Sequence, residues 1–126
     1  FNSTEIVEFP DIKGQGNPIS LKKMEAERIL AKIKPDDFLV LLDEHGKSLS
    51  SLEFADFIQK KENQSIKKLI FLVGGAYGFD ERLYERANDK ISLSNMTFSH
   101  QLIRLIFLEQ LYRAYTIMNN FPYHNE

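Results

Sequence analysis

Five apolar residues in a row, Leu69-Ile70-Phe71-Leu72-Val73, run straight into Gly74-Gly75-Ala76-Tyr77-Gly78. Lacking alternation, the run reads as a strand covered on both faces, at home in a parallel sheet rather than a half-wet antiparallel one. The three glycines within the next five residues let the backbone turn sharply and come close to another group. Open α/β sheets hold ligands in the crevice outside the carboxyl ends of their strands, so this turn is the first place for a site. Taken alone, its glycines are better explained by the dihedral angles of a strand-to-helix connection.

At 126 residues the chain has the size of one domain, large enough to bury a core without staples. It has no cysteine, which removes disulfides, thiolate zinc sites and cysteine nucleophiles and suits a reducing compartment. No stretch approaches the roughly 20 apolar residues of a membrane span, and the N-terminus has no basic-then-apolar leader pattern. The expectation is a cytoplasmic protein without a membrane partner. A formal charge of −2 argues against a wholly basic surface while leaving room for a local basic patch.

Along the chain, residues 4–9 alternate weakly and predict a strand stopped by Pro10. Residues 11–18, with two glycines and a second proline, predict a mobile loop. Ser20 is a candidate cap for a helix to about Lys34, with Met24, Ala26, Ile29, Leu30 and Ile33 on one stripe and Pro35 as its stop. Phe38-Leu39-Val40-Leu41-Leu42 predicts a second buried strand, and residues 43–47 a turn. Ser50 with Glu53 is a capping-box signature for a helix carrying Leu52, Ala55, Phe57 and Ile58 to about Lys61, followed by a loop over residues 62–65. Asp80 caps a short helix over residues 81–88, with Leu83 and Ala87 inward. Residues 91–94 read as a third buried strand or an extended loop. The longest helix is expected from Ser99 to about Asn119, with Leu102, Ile103, Ile106, Phe107, Leu111, Ala114, Ile117 and Met118 on an apolar face wider than one core contact demands. Strands alternating with helices make the class α/β, with a mostly parallel sheet and flanking helices.

Familiar motifs fail on inspection. Gly74, Gly75 and Gly78 do not make a dinucleotide fingerprint, because Ala76 and Phe79 stand where glycines are needed. Gly46-Lys47-Ser48 imitates the end of a phosphate loop, but Leu41 occupies the position of its first glycine. His45, His100 and His124 lack metal-ligand spacing, no metal is expected, and no serine sits in a nucleophile elbow. Arg104 and Arg113, nine residues apart on one helix, lie about 180° from each other and cannot face one pocket. Glu109 and Arg113 at i, i+4 make a surface pair worth a few tenths of a kcal/mol.

Five segments together carry more. Leu42-Asp43-Glu44-His45-Gly46-Lys47, the glycine turn, and Lys90-Ile91-Ser92-Leu93-Ser94-Asn95-Met96-Thr97-Phe98-Ser99-His100-Gln101 occur in order with Glu109-Gln110-Leu111-Tyr112-Arg113-Ala114 and Pro122-Tyr123-His124-Asn125-Glu126. On these the chain resembles the bacterial large-subunit ribosomal RNA pseudouridine N3-methyltransferases of the SPOUT, or trefoil-knot, superfamily, from about Glu5 to its end. The resemblance implies a single SPOUT methyltransferase domain over residues 1–126, with a further strand and helix ahead of Phe1 in relatives. It also implies a C-terminal trefoil knot, which no periodicity could reveal and which is rare enough to bet against otherwise.

The implied cofactor is S-adenosylmethionine, and the implied cofactor residues are Leu42, Gly74, Leu93, Ser94, Asn95, Met96, Thr97 and Phe98. The implied partners are 23S ribosomal RNA in the assembled 70S ribosome and a second copy in a homodimer. On this reading the tail residues Tyr123 and His124 close over the target base, Arg113 or Arg104 supplies positive charge, and Glu109 either orients an arginine or takes the N3 proton. The two arginines then serve different pockets, one from each subunit. Relatives often have a basic residue or histidine where this chain has Asn125, which weakens any phosphate contact there. The near-neutral charge implies a shaped ribosomal surface as substrate rather than an isolated hairpin. The rival readings are a non-catalytic dimeric α/β module and a SPOUT enzyme with another RNA target.

Overall fold

A computed structural model describes residues 3–8 and 18–64, 66–74 and 78–125, with side chains from residue 19 onward. The two continuous apolar runs are the paired centre of its sheet. The elements, in order, are β1 (Ser3–Glu8), α1 (Pro18–Leu30), β2 (Phe38–Ser48), α2 (Ser51–Asn63), β3 (Lys68–Val73), α3 (Glu81–Arg86), β4 (Asp89–Ser92) and α4 (His100–Met118). The strands stand in the order β1-β3-β2-β4, and every pairing is parallel. Residues 91–94, read as strand or loop, divide between the two: β4 ends at Ser92.

Alternate residues of the central strands enter two separate cores, the reason their sequences show no polar face. Leu39, Leu41, Ile70 and Leu72 pack with Ala26 and Ile29 of α1 and Leu83 of α3. Val40, Leu42, Leu69, Phe71 and Val73 pack with Phe54, Ala55 and Ile58 of α2 and with Phe107 and Ala114 of α4. Phe71 joins the layers on that side, its ring 5.9 Å from Phe54 and 4.7 Å from Phe107. At the opposite ends of the strands from the glycine turn, Arg86 donates to the carbonyls of Lys34 and Asp37, both at 2.9 Å, and anchors α3.

Several boundaries differ from those expected. Helix α1 opens at Pro18 rather than after a Ser20 cap, since proline suits the first turn where its missing N–H has no partner to lose. It ends at Leu30, four residues short of Lys34. Met24 is exposed, and Leu21 takes its place inward. The capping box of α2 is present in full, with Glu53 N–H donating to Ser50 Oγ at 3.1 Å and Ser50 N–H donating to Glu53 Oε1 at 2.8 Å. Its inward residue is Phe54 where Leu52 was expected, and the helix continues to Asn63. Residues 43–47 are not a turn: β2 continues through them to Ser48, and its pairing with β4 jumps from Leu42 to Lys47. Gly46 permits that crossing, because a Cβ there would lie 2.7 Å from the Ile91 nitrogen. The expected stop at Pro10, the loop up to residue 17, and Gly75, Ala76 and Tyr77 lie outside the described residues.

Helix α4 has two apolar faces. Phe107 and Ala114 are buried, with Ile103, Leu111, Ile117 and Met118 packed around them. Leu102, expected on that face, is exposed, as are Leu105, Leu108 and Tyr112. These four form a second stripe at helical spacing, pointing to solvent.

Candidate functional site

The regular pairing of β2 and β3 ends at Leu42 opposite Val73. Beyond that point lies a cavity of about 520 Å³, bounded by the excursion of β2, the residues after β3, the loop after β4 and the start of α4. It occupies the crevice outside the strand carboxyl ends where the glycine turn pointed.

Seven of the eight expected cofactor residues line this cavity: Leu42, Gly74, Leu93, Ser94, Met96, Thr97 and Phe98. Asn95 does not; its side chain turns outward and accepts a hydrogen bond from Ser48 Oγ at 3.3 Å. The loop is shaped by short-range bonds: Ser92 Oγ donates to the Ser94 carbonyl at 2.8 Å, and Met96 N–H to Ser94 Oγ at 3.0 Å. Thr97 Oγ1 donates to Glu44 Oε2 at 2.9 Å, which ties the loop across to β2. Ser99 then caps α4, accepting from Leu102 N–H at 3.3 Å.

Gly74 has a local reason to lack a side chain. A Cβ there would come within 3.0 Å of the Phe79 ring, which is buried and itself lines the cavity. Gly78 has φ +80°, a backbone conformation that favours glycine. Asp43, Glu44, Phe79, His100 and Ile103 also line the site. His100 lacks metal-ligand spacing, and its signals in the sequence are its place next to the Ser99 cap and within the segment 90–101.

Four of the five expected catalytic residues meet elsewhere, over the second half of α4. Arg113 donates to Glu109 Oε2 through Nη2 at 2.7 Å and Nε at 3.2 Å. Tyr123 O–H donates to the same oxygen at 3.0 Å, and the guanidinium lies 4.8 Å from the Tyr123 ring centroid. Arg113 Nη1 is 3.0 Å from His124 Nδ1. A guanidinium only donates, so Nδ1 accepts and the remaining ring proton sits on Nε2. Tyr112 packs edge-on to Tyr123 at 4.9 Å and completes the cluster. Chiefly its bond to Arg113 holds the Glu109 carboxyl below the usual carboxylate range, while Glu109 raises both the Arg113 guanidinium and the Tyr123 phenol.

Arg104 is exposed on α4 and belongs neither to this cluster nor to the cavity lining. The cluster and the cavity are also separate from each other. Arg113 follows Ile103 by ten residues, about 15 Å along one helix. Among the described residues no helix is long and apolar enough to cross a membrane, and no group of three or more histidines and carboxylates is placed to hold a metal.

A family model described as "Predicted SPOUT methyltransferase" matches residues 1–124. Curated relatives carry the name "Ribosomal RNA large subunit methyltransferase H". That of Bacteroides thetaiotaomicron is 59% identical over 105 residues, covering 83% of this chain and 67% of the relative. That of Parabacteroides distasonis is 53% identical over 124 residues, covering 97% and 79%. That of Phocaeicola vulgatus is 52% identical over 129 residues, covering 100% and 82%.

Proposed function

The chain belongs to the SPOUT methyltransferase family, and from that premise we propose that it methylates N3 of a pseudouridine in the 23S RNA of the assembled bacterial ribosome, with S-adenosylmethionine as donor. The observation that carries this reading is the cavity at the ends of β2, β3 and β4, where segments far apart in sequence converge. Its volume lies within the range of small-molecule pockets, and its walls are mainly apolar with a few polar groups, as such pockets are. Leu42, Met96, Phe98 and the backbone at Gly74 and residues 93–94 would hold the donor. When bound, S-adenosylmethionine supplies a methyl group already activated on a sulfonium, so no nucleophile or metal is required of the protein.

What remains for the protein is to align the base, exclude water and favour loss of the N3 proton. Arg113 can do the last by charge, since a cation beside the ring favours its anionic form. Glu109, already accepting from Arg113 and Tyr123 and held as a carboxylate, orients these groups and is a poor proton acceptor. Tyr123 offers an exposed ring for stacking on an extruded base, and His124 supports the Arg113 guanidinium through Nδ1.

Cavity and cluster must come together for transfer, and a second copy of the chain provides the means. The solvent-facing stripe of Leu102, Leu105, Leu108 and Tyr112 is an apolar surface suited to isologous pairing. A two-fold axis through its middle, with the α4 helices antiparallel, carries Arg113 of one copy to the level of His100 at the other copy's cavity. Arg104 then stands at the level of the other copy's Glu109. The C-terminal knot and a cytoplasmic location belong to the same reading.

Mass mapping of ribosomal RNA from cells lacking the protein tests the assignment. The expected result is one missing methyl group, on N3 of a large-subunit pseudouridine, restored by the intact gene. Loss of a methyl from any other nucleotide would refute the target, and an unaltered map would refute the enzymatic reading.

A further inference from the structure

The proposed reaction leaves two carboxylates at the cavity without a role. Asp43 and Glu44 both line it, and both come from the excursion of β2 between Leu42 and Lys47. Glu44 is engaged: Oε2 accepts from Thr97, and Oε1 is 3.8 Å from His45 Nε2. Asp43 is half-buried and accepts from the His45 backbone N–H at 3.3 Å, with the Tyr84 phenol near enough to feel its charge.

Tyr84 is fixed in turn. Its ring stands edge-on to Phe79 at 5.8 Å, and Phe79 lies against Gly74 in the same cavity wall. The Lys90 ammonium sits 5.5 Å from the centroid of the Tyr84 ring. Burial and the Asp43 carboxylate push the phenol above its ordinary range, so it stays a donor. Asp43 stands in a wall that also includes Leu42, Val73, Phe79, Leu93, Phe98 and Ile103, and neither lysine nor arginine is among the lining residues.

We infer that Asp43, positioned by Tyr84, makes the cavity select its ligand by charge, favouring the sulfonium of the methyl donor over the neutral thioether that remains after transfer. The inference rests on the cofactor reading proposed above. Donor and product differ by one methyl group and one positive charge, so shape alone separates them poorly. In a cavity of about 520 Å³ a ligand charge lies within roughly 10 Å of the wall, close enough for a partly buried carboxylate to act on it. Tighter binding of the cation lets fresh donor displace spent product.

The test is titration of S-adenosylmethionine and S-adenosylhomocysteine, separately, into the full chain and into Asp43→Asn. The variant keeps the size and acceptor oxygen of the side chain and removes its charge. Sulfonium affinity should fall by about three- to tenfold, while thioether affinity stays within about twofold. Equal weakening of both ligands, or no change in either, overturns the inference. Tyr84→Phe should shift the ratio the same way by less, and an unchanged ratio there removes the positioning role of Tyr84. Should Asp43→Asn fail to fold, the unaltered protein still decides. An analogue with a primary ammonium in place of the sulfonium must bind several-fold tighter than the thioether, and equal binding overturns the inference. If the unaltered protein binds neither nucleoside, the cofactor reading itself falls and takes this inference with it, an outcome distinct from a failed ratio.

Discussion

The two ends of α4 carry sites built on opposite principles. At its start, the cavity is walled by strand ends and a loop folded on its own serines, with shape as its main resource. Over its second half, Glu109, Arg113, Tyr123 and His124 form a charged network on a partly exposed surface, held by hydrogen bonds rather than by packing. The first can hold a ligand but has no strong cation; the second has the cation but no enclosure. The lesson is that one helix can bring binding and charge into a single molecule without bringing them into a single site.

If that division is real, Arg113→Ala should lower methyl transfer by about 10²–10³-fold, as loss of a positioned charge does, while S-adenosylmethionine affinity in a titration stays within about twofold. An equal loss in both would merge the two regions into one. Next in size is Leu105→Glu on the exposed stripe. It should convert a dimer to a monomer in sedimentation and reduce transfer by about 10²-fold, again with donor binding intact, because misplaced groups lose most of their effect. A monomeric variant with full activity would show that cavity and cluster meet within one chain.

Gly74→Ala probes the cavity alone. The new methyl would press on Phe79, so denaturant unfolding should show a loss of about 1–3 kcal/mol, with weaker donor binding alongside. Adding Phe79→Leu should restore both; stability without affinity would mean that the glycine serves the ligand directly. The smallest effect concerns the cluster and pH. Glu109 lies below its ordinary value when the tail is docked, so its contribution is complete above that ordinary value, near pH 4.3, and disappears as pH falls through the lowered one. Tyr123 shifts upward, so its contribution is complete below about pH 10 and is lost only as pH rises through the raised value. The Tyr123–Glu109 bond should therefore persist up to about pH 9, with the Tyr123 resonances moving toward free values in strong acid.

Residue patterns disclosed much of this. Unalternating strands 38–42 and 69–73 demanded helices on both faces of a parallel sheet, because each successive side chain had to be buried on the opposite side. Ser50, Asp80 and Ser99 marked helix starts because capping is decided within three residues. Residues 43–47 misled, since polarity and a glycine resemble a turn when the strand that pairs with Lys47 and Ser48 lies more than forty residues later. The surplus width of the α4 apolar face is legible, but its division into a buried and an exposed stripe is not, for a related reason. Apolar positions on a helix announce how much surface must be covered, but not which part the core will take.

Local chemistry, then, was enough to set the two buried strands and the caps at Ser50, Asp80 and Ser99, since each depends on neighbours within a few residues. Assembly of the cavity from Leu42, Gly74, Phe79, Leu93 and Ile103 required the order β1-β3-β2-β4, and so did the separation of that cavity from Arg113. Those are relations between distant segments, settled by which faces could be buried together, and short-range preferences carry no record of them.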